Sequence, residues 1–192
     1  MGTDFLGIKE SEMEPHAGAI LIAEPFSLDS FFGRSVVLLT EHSEMGSVGF
    51  VLNKFIDIPL HELLDDFPEF SGKVGMGGPV SSNIIHYIHT LGDIIPESVR
   101  IYDQLYWGGD FEAVKQVLKS KKVNKKNIRF FLGYSGWSPG QLEEEMQNKY
   151  WIVAKTDYLK IMSYDNLWEI LLNERSLQYP IWSNVPEDLS FN

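Results

Sequence analysis

Apolar residues along this chain come in short unbroken runs rather than in strict alternation with polar ones. The first are Gly18-Ala-Ile-Leu-Ile-Ala23, Ser35-Val-Val-Leu-Leu-Thr40 and Val48-Gly-Phe-Val-Leu52. Later runs are Ile128-Arg-Phe-Phe-Leu-Gly-Tyr134 and Tyr150-Trp-Ile-Val-Ala154. They are short and rich in β-branched and aromatic residues, which predicts strands. Continuous apolar strands are buried on both faces, so other elements must cover both sides of the sheet they form. Pro25 lacks a ladder donor and ends the first strand. Asp29 is placed to cap a turn through Phe31 and Phe32. The segment Glu41–Gly46 reads as a hairpin connection. Further strands are expected around Asn83–His89 and Gln104–Trp107.

Four segments carry helical patterning. Pro59–Asp65 is short. Asp110–Lys119 has an N-cap at Asp110 and an apolar stripe of Phe111, Val114 and Leu118. Ser138-Pro-Gly-Gln141 reads as a capping box with Pro139 at the first helical position, and Glu143, Glu144 and Glu145 suit the positive end of the dipole. Asp165–Asn173 is apolar nearly all round, which predicts a buried helix. The pattern predicts an α+β fold: a mixed, largely antiparallel central sheet with helices packed around it. Residues 1–17, polar and acidic, read as a loose arm, and residues 18–192 as one domain.

Composition narrows the chemistry. The chain of 192 residues has no cysteine, which excludes disulfides, thiolate zinc sites and cysteine nucleophiles and fits a reducing, cytoplasmic compartment. No apolar run approaches the ~20 residues of a membrane helix. The net charge of −11 opposes binding to phosphate backbones. Seven basic residues nevertheless fall between Lys115 and Arg129 with no acidic one among them. This stretch reads first as a solvated loop after a helix, and second as a docking patch for an acidic partner.

Several residues are candidates for a site. Gly75-Met-Gly-Gly-Pro-Val80 is a tight turn, and Gly77 and Gly78 could let a backbone approach a ligand. It is neither a dinucleotide fingerprint nor a phosphate-binding loop. His42, at a hairpin tip, and Asn53, at the end of the return strand, are exposed polar residues at strand ends. Trp137 and Gln141 lie in the glycine-bearing stretch before the capped helix, where the glutamates would repel an anion. His86 and His89, three apart on a strand, point to opposite faces and share no metal. Gly133-Tyr-Ser-Gly136 lacks the second glycine of a nucleophile elbow. Trp107, Tyr134, Trp137, Tyr150 and Trp151 read as core. No metal site, cofactor or complete catalytic constellation is expected.

The ordered segments, with Gly77-Gly-Pro-Val80, His89, Gly108-Gly109, Phe131-Leu-Gly-Tyr-Ser-Gly-Trp-Ser-Pro-Gly-Gln-Leu-Glu-Glu-Glu145 and Trp151, resemble the AlgH/YqgE family of bacterial proteins over roughly residues 18–192. Ser183-Asn-Val-Pro-Glu-Asp188 is similar to the version in Bacteroidetes members. The resemblance implies an unusual α+β fold without established activity, and a label of transcriptional regulator taken from one member's genetic link to alginate synthesis. His42, Asn53, Gly77, Gly78, Trp137 and Gln141 fall on its motif positions. The leading reading is a non-enzymatic cytoplasmic protein that binds a protein partner or small ligand in a regulatory role, without nucleic acid or membrane. The alternative is an enzyme or ligand-binding protein whose pocket gathers His42, Asn53, Gly77, Gly78 and Trp137.

Overall fold

The structure is a computed structural model that describes residues 13–25, 29–120, 123–163 and 166–176. Its centre is a ten-stranded, largely antiparallel sheet. The left half, in spatial order, is β10 (Trp151–Ala154), β1 (Ile20–Ala23), β2 (Val36–Ser43) and β3 (Gly46–Val51). The long strand β9 (Ile128–Trp137) follows, then β6 (Val80–His89), β8 (Leu105–Trp107) and β7 (Val99–Tyr102). A short strand β5 (Val74–Met76) runs parallel to the first half of β9, and β4 (Phe55–Ile56) pairs with β5. β9 is the seam: its first half pairs with β5 and β6, and its second half with β3.

Alternation along each strand divides the buried side chains among three clusters. Ile20, Ile22, Val36, Leu38, Phe50, Ile88 and Phe131 share one face, covered by α4 (Tyr158–Ile161) and α5 (Leu167–Ser176). On the opposite face, Leu21, Val37, Leu39, Val51 and Trp137 pack under α3 (Gln141–Gln147). Beyond the seam, Tyr87, Ile128 and Phe130 pack under α1 (Leu60–Leu63) and α2 (Phe111–Lys119). The unbroken apolar runs are therefore covered on both sides, as their composition requires.

Local chemistry matches several expectations. The Asp29 carboxylate accepts from the Phe31 and Phe32 N–H groups at 2.8 and 2.5 Å. Asp110 caps α2 by accepting from Glu112 and Ala113. Leu167, Trp168, Leu171 and Leu172 of α5 are buried; Asp165 lies outside the described residues.

Other expectations are corrected. The hairpin loop is only Glu44-Met45, because pairing continues to Ser43 opposite Gly46; His42 lies within β2, not at the tip. Gly75 is a strand residue in β5, so the tight turn begins only at Gly77. β9 runs on to Trp137, and Ser135-Gly-Trp137 is strand rather than loop. Ser138 is not a side-chain cap: α3 starts after Gly140, whose φ is +79°. Half of the expected box exists, since the Gln141 Oε1 accepts from the Ser138 N–H at 3.0 Å. Tyr150 is 53% exposed and does not belong to the core. The expected loose arm is tied down at its end, where Pro15 is buried, Met13 packs against the α3-side cluster and the Gly18 N–H donates to the Leu39 carbonyl.

Candidate functional site beside the start of helix α3

The β2–β3 hairpin reaches α3 at one corner of the sheet. Gly46 sits at φ +119°, and a Cβ there would lie 2.3 Å from the Trp137 carbonyl oxygen, so glycine alone lets the hairpin close onto the end of β9. Cross-strand pairing sets His42 opposite Ser47, and Ser47 opposite Trp137. The His42 Nδ1 is 2.8 Å from the Ser47 Oγ, and its Nε2 is 3.7 Å from Glu143 Oε1 on α3. Ser47 is buried, whereas Glu143 reaches solvent.

Next to this line is a saturated carboxylate. Glu145 Oε2 accepts from the indole N–H of Trp137 at 2.8 Å and of Trp151 at 2.7 Å. Its Oε1 accepts from the Gln141 side-chain amide at 2.9 Å. The Phe32 ring packs edge-on to Trp151 with centroids 5.5 Å apart. Buried indole N–H groups need acceptors, and one glutamate supplies them for both. We expect Glu145→Ala to cost about 3 kcal/mol, because it strands two buried donors. Thermal unfolding measures this, and Glu145→Gln should recover part of the loss.

The structure thus brings His42, Trp137 and Gln141 together through Glu143 and Glu145. It places Asn53 elsewhere. Asn53 Oδ1 accepts from the Val36 N–H at 2.9 Å, and its amide donates to the Arg34 carbonyl at 2.8 Å, at the start of β2. Six residues of β2 separate that point from His42, which is ~20 Å of strand. Gly77 and Gly78 are wedged between strands. The Gly77 carbonyl accepts from the Val51 N–H at 2.9 Å and the Ser135 hydroxyl at 3.0 Å. A Cβ on Gly78 would lie 2.1 Å from the Tyr134 carbonyl atoms. A single pocket uniting His42 with Asn53 is therefore not formed.

Two residues escaped the sequence reading. Ser47 becomes visible only when the hairpin register sets it across from His42. Arg129 counted as part of the basic stretch, yet it is 1% exposed and its guanidinium donates to the carbonyls of Leu52, Ile161 and Ser163. Of the remaining basic residues, Lys115 pairs with Glu112 at 2.9 Å, and Lys119, Lys125 and Lys126 are exposed; Lys121 and Lys122 lie outside the described residues. Among the described residues, no three His, Asp or Glu side chains gather as a metal site. No helix among them is long and apolar enough to cross a membrane.

The AlgH-like family model matches residues 20–180. The chain belongs to the AlgH-like family. A relative from Parabacteroides distasonis is 42% identical over 189 residues, covering 96% of each chain. One from Bacteroides thetaiotaomicron is 38% identical over 99% of this chain and 98% of its own. Both carry the name UPF0301 protein, which assigns no activity, and both come from the group whose version Ser183–Asp188 resembles; that segment lies outside the described residues. The AlgH-like fold recurs in solved structures. A Corynebacterium diphtheriae protein superposes with a TM-score of 0.71 at 23% identity, covering 90% of this chain and 93% of its own. The AlgH protein of Pseudomonas aeruginosa does so with a TM-score of 0.67 at 22% identity, over 93% of this chain and 91% of its own.

Proposed function

We propose that this AlgH-like chain is a cytoplasmic protein that acts by binding, in a regulatory role, rather than by catalysis. One observation carries the reading: Asn53, Gln141 and Glu145, polar side chains at the motif positions, are committed to the fold. Asn53 binds two backbone groups, and Gln141 and Glu145 serve the α3 start and the two indoles. Ser47, whose hydroxyl touches His42, is buried in the sheet. What faces outward at this corner is the half-buried His42 edge, the Glu143 carboxylate and the exposed Met45 at the hairpin turn. This is a surface for a protein partner or a small cationic or hydrogen-bonding ligand. The family's regulator label fits such a role without DNA contact, which the net charge of −11 opposes.

A thermal-shift screen of metabolites and nucleotides tests the proposal. A ligand at 100 times its dissociation constant raises stability by about 2.7 kcal/mol. We expect His42→Ala and Glu143→Gln to erase the shift while leaving the unliganded melting temperature within about 2 °C. Conversion of a hit to product, at a rate that His42→Ala abolishes, would establish an enzyme instead.

A further inference from the structure

His89 lies on β6 with no solvent exposure, and each of its ring nitrogens has a backbone partner. Nδ1 accepts the Leu91 N–H at 3.1 Å. Since that N–H can only donate, Nδ1 carries the lone pair and Nε2 carries the proton. Nε2–H points at the Gly108 carbonyl, 2.9 Å away. The Ser98 hydroxyl, which itself donates to the Ile95 carbonyl at 2.7 Å, presents its oxygen to the same nitrogen at 3.2 Å.

These contacts join two segments far apart in sequence. Leu91 and Ser98 bound the connection from β6 to β7, whereas Gly108 opens the turn into α2. The turn is held a second time where the Tyr87 hydroxyl donates to the Gly109 carbonyl at 2.7 Å. A third tie is the Asp110 N–H donating to the Pro96 carbonyl at 2.9 Å. Asp110 is in turn the cap of α2.

We propose that His89 is an acid-sensitive latch: in its neutral form it clamps the β6–β7 connection beside the Gly108–Gly109 turn, and a proton gained at Nδ1, which leaves the Nε2–H bond to Gly108 in place, releases the connection at Leu91. A protonated Nδ1 confronts the Leu91 N–H donor to donor, so the bond to Leu91 must break. The groups packed against the ring offer no compensating charge. Tyr106 of β8 stacks on it with centroids 5.9 Å apart, Tyr87 lies beside it on β6, and Ile128 of β9 is its strand partner. The carboxylate of Asp110 is committed to the first turn of α2, and Asp93 and Glu97 of the connection are exposed. Burial pushes the His89 imidazolium below its ordinary range, while the Gly108 carbonyl pulls weakly the other way. The sign follows: the released state takes the proton at about pH 6.5, the clamped state only at lower pH, so clamping weakens as pH falls through that interval and is at full strength above it.

Amide hydrogen exchange on the full chain, read as protection factors from pH 7.5 to 5, tests the latch. Protection at Leu91 and Asp110 should fall about tenfold per pH unit below ~6.5. Protection at Leu39, in the β1–β2 ladder, should hold. A joint fall at all three sites, or none at Leu91 and Asp110, overturns the proposal, as does an Nδ1–H tautomer by nitrogen NMR at pH 7.5. His86 is also pushed low by burial, on the other face of β6 against Phe50 and Tyr134. His86→Phe must therefore keep the pH response. His89→Gln, where it folds, must flatten it; the wild-type measurement decides the matter where it does not.

Discussion

Replacing Arg129 with Met lowers the free energy of unfolding by about 3 kcal/mol, measured by urea denaturation. Among the described residues Arg129 heads the fully buried side chains by size, and it lies on β9, the seam of the sheet. One guanidinium nitrogen donates to the carbonyls of Ile161, the last residue of α4, and of Ser163 just beyond it, and another to that of Leu52, just past β3. It thereby ties the helical layer to both halves of the sheet. Its plane lies over Phe131, 5.4 Å from the ring centroid, which favours a guanidinium over an ammonium. Met keeps the apolar stem but leaves the three carbonyls without these donors. Lys restores the charge but not the fork, so Arg129→Lys should fall between wild type and Met. In a chain of this size, 3 kcal/mol corresponds to a loss of about 10 °C in melting temperature. An unchanged urea midpoint would show that the carbonyls are satisfied by other means.

Gly78→Ala should be at least as damaging, at about 4 kcal/mol or more, and is read as loss of soluble folded protein. Gly78 follows the point where the chain leaves β5 and squeezes past β9 on its way to β6. The added methyl would meet the Tyr134 carbonyl carbon and oxygen at 2.1 Å and the Ser135 nitrogen at 2.3 Å. These are backbone atoms of a paired strand, which cannot swing aside as a side chain could. Gly140→Ala is the control. Its φ of +79° strains alanine, but nothing lies within 4 Å of the new methyl. Left-handed strain alone costs about 1 kcal/mol. Equal losses for the two variants would refute the steric argument.

The two cases show what can be read from one dimension. Hydrophobic runs revealed most of the strands, because a doubly covered strand needs an apolar side chain at nearly every position. Asp29 and Asp110 were legible as caps because a cap bonds within two or three residues of itself. β5 was hidden by its shortness and Gly75, and β7 by its mixed, half-exposed sequence, since neither contains a run of apolar residues. Ser138 misled because a capping box and a turn before a left-handed glycine share the same letters. Only the geometry of Gly140 separates them.

At the candidate site, the sequence determined which residue types were present, and the hairpin register decided who met whom. His42 and Asn53 look like companions, eleven positions apart at the ends of one hairpin, yet a hairpin folds its own ends onto other neighbours. Gly133 adds a second effect of this kind. At φ +68° it breaks the alternation of β9, so that Tyr134 joins Phe131 on one face beside His86. Local bonding and burial patterns are short-range properties, and the chain itself carries them. The Glu143 contact of His42 and the carbonyl partners of Arg129 lie tens of residues away in sequence, where only strand pairing and helix packing can set them.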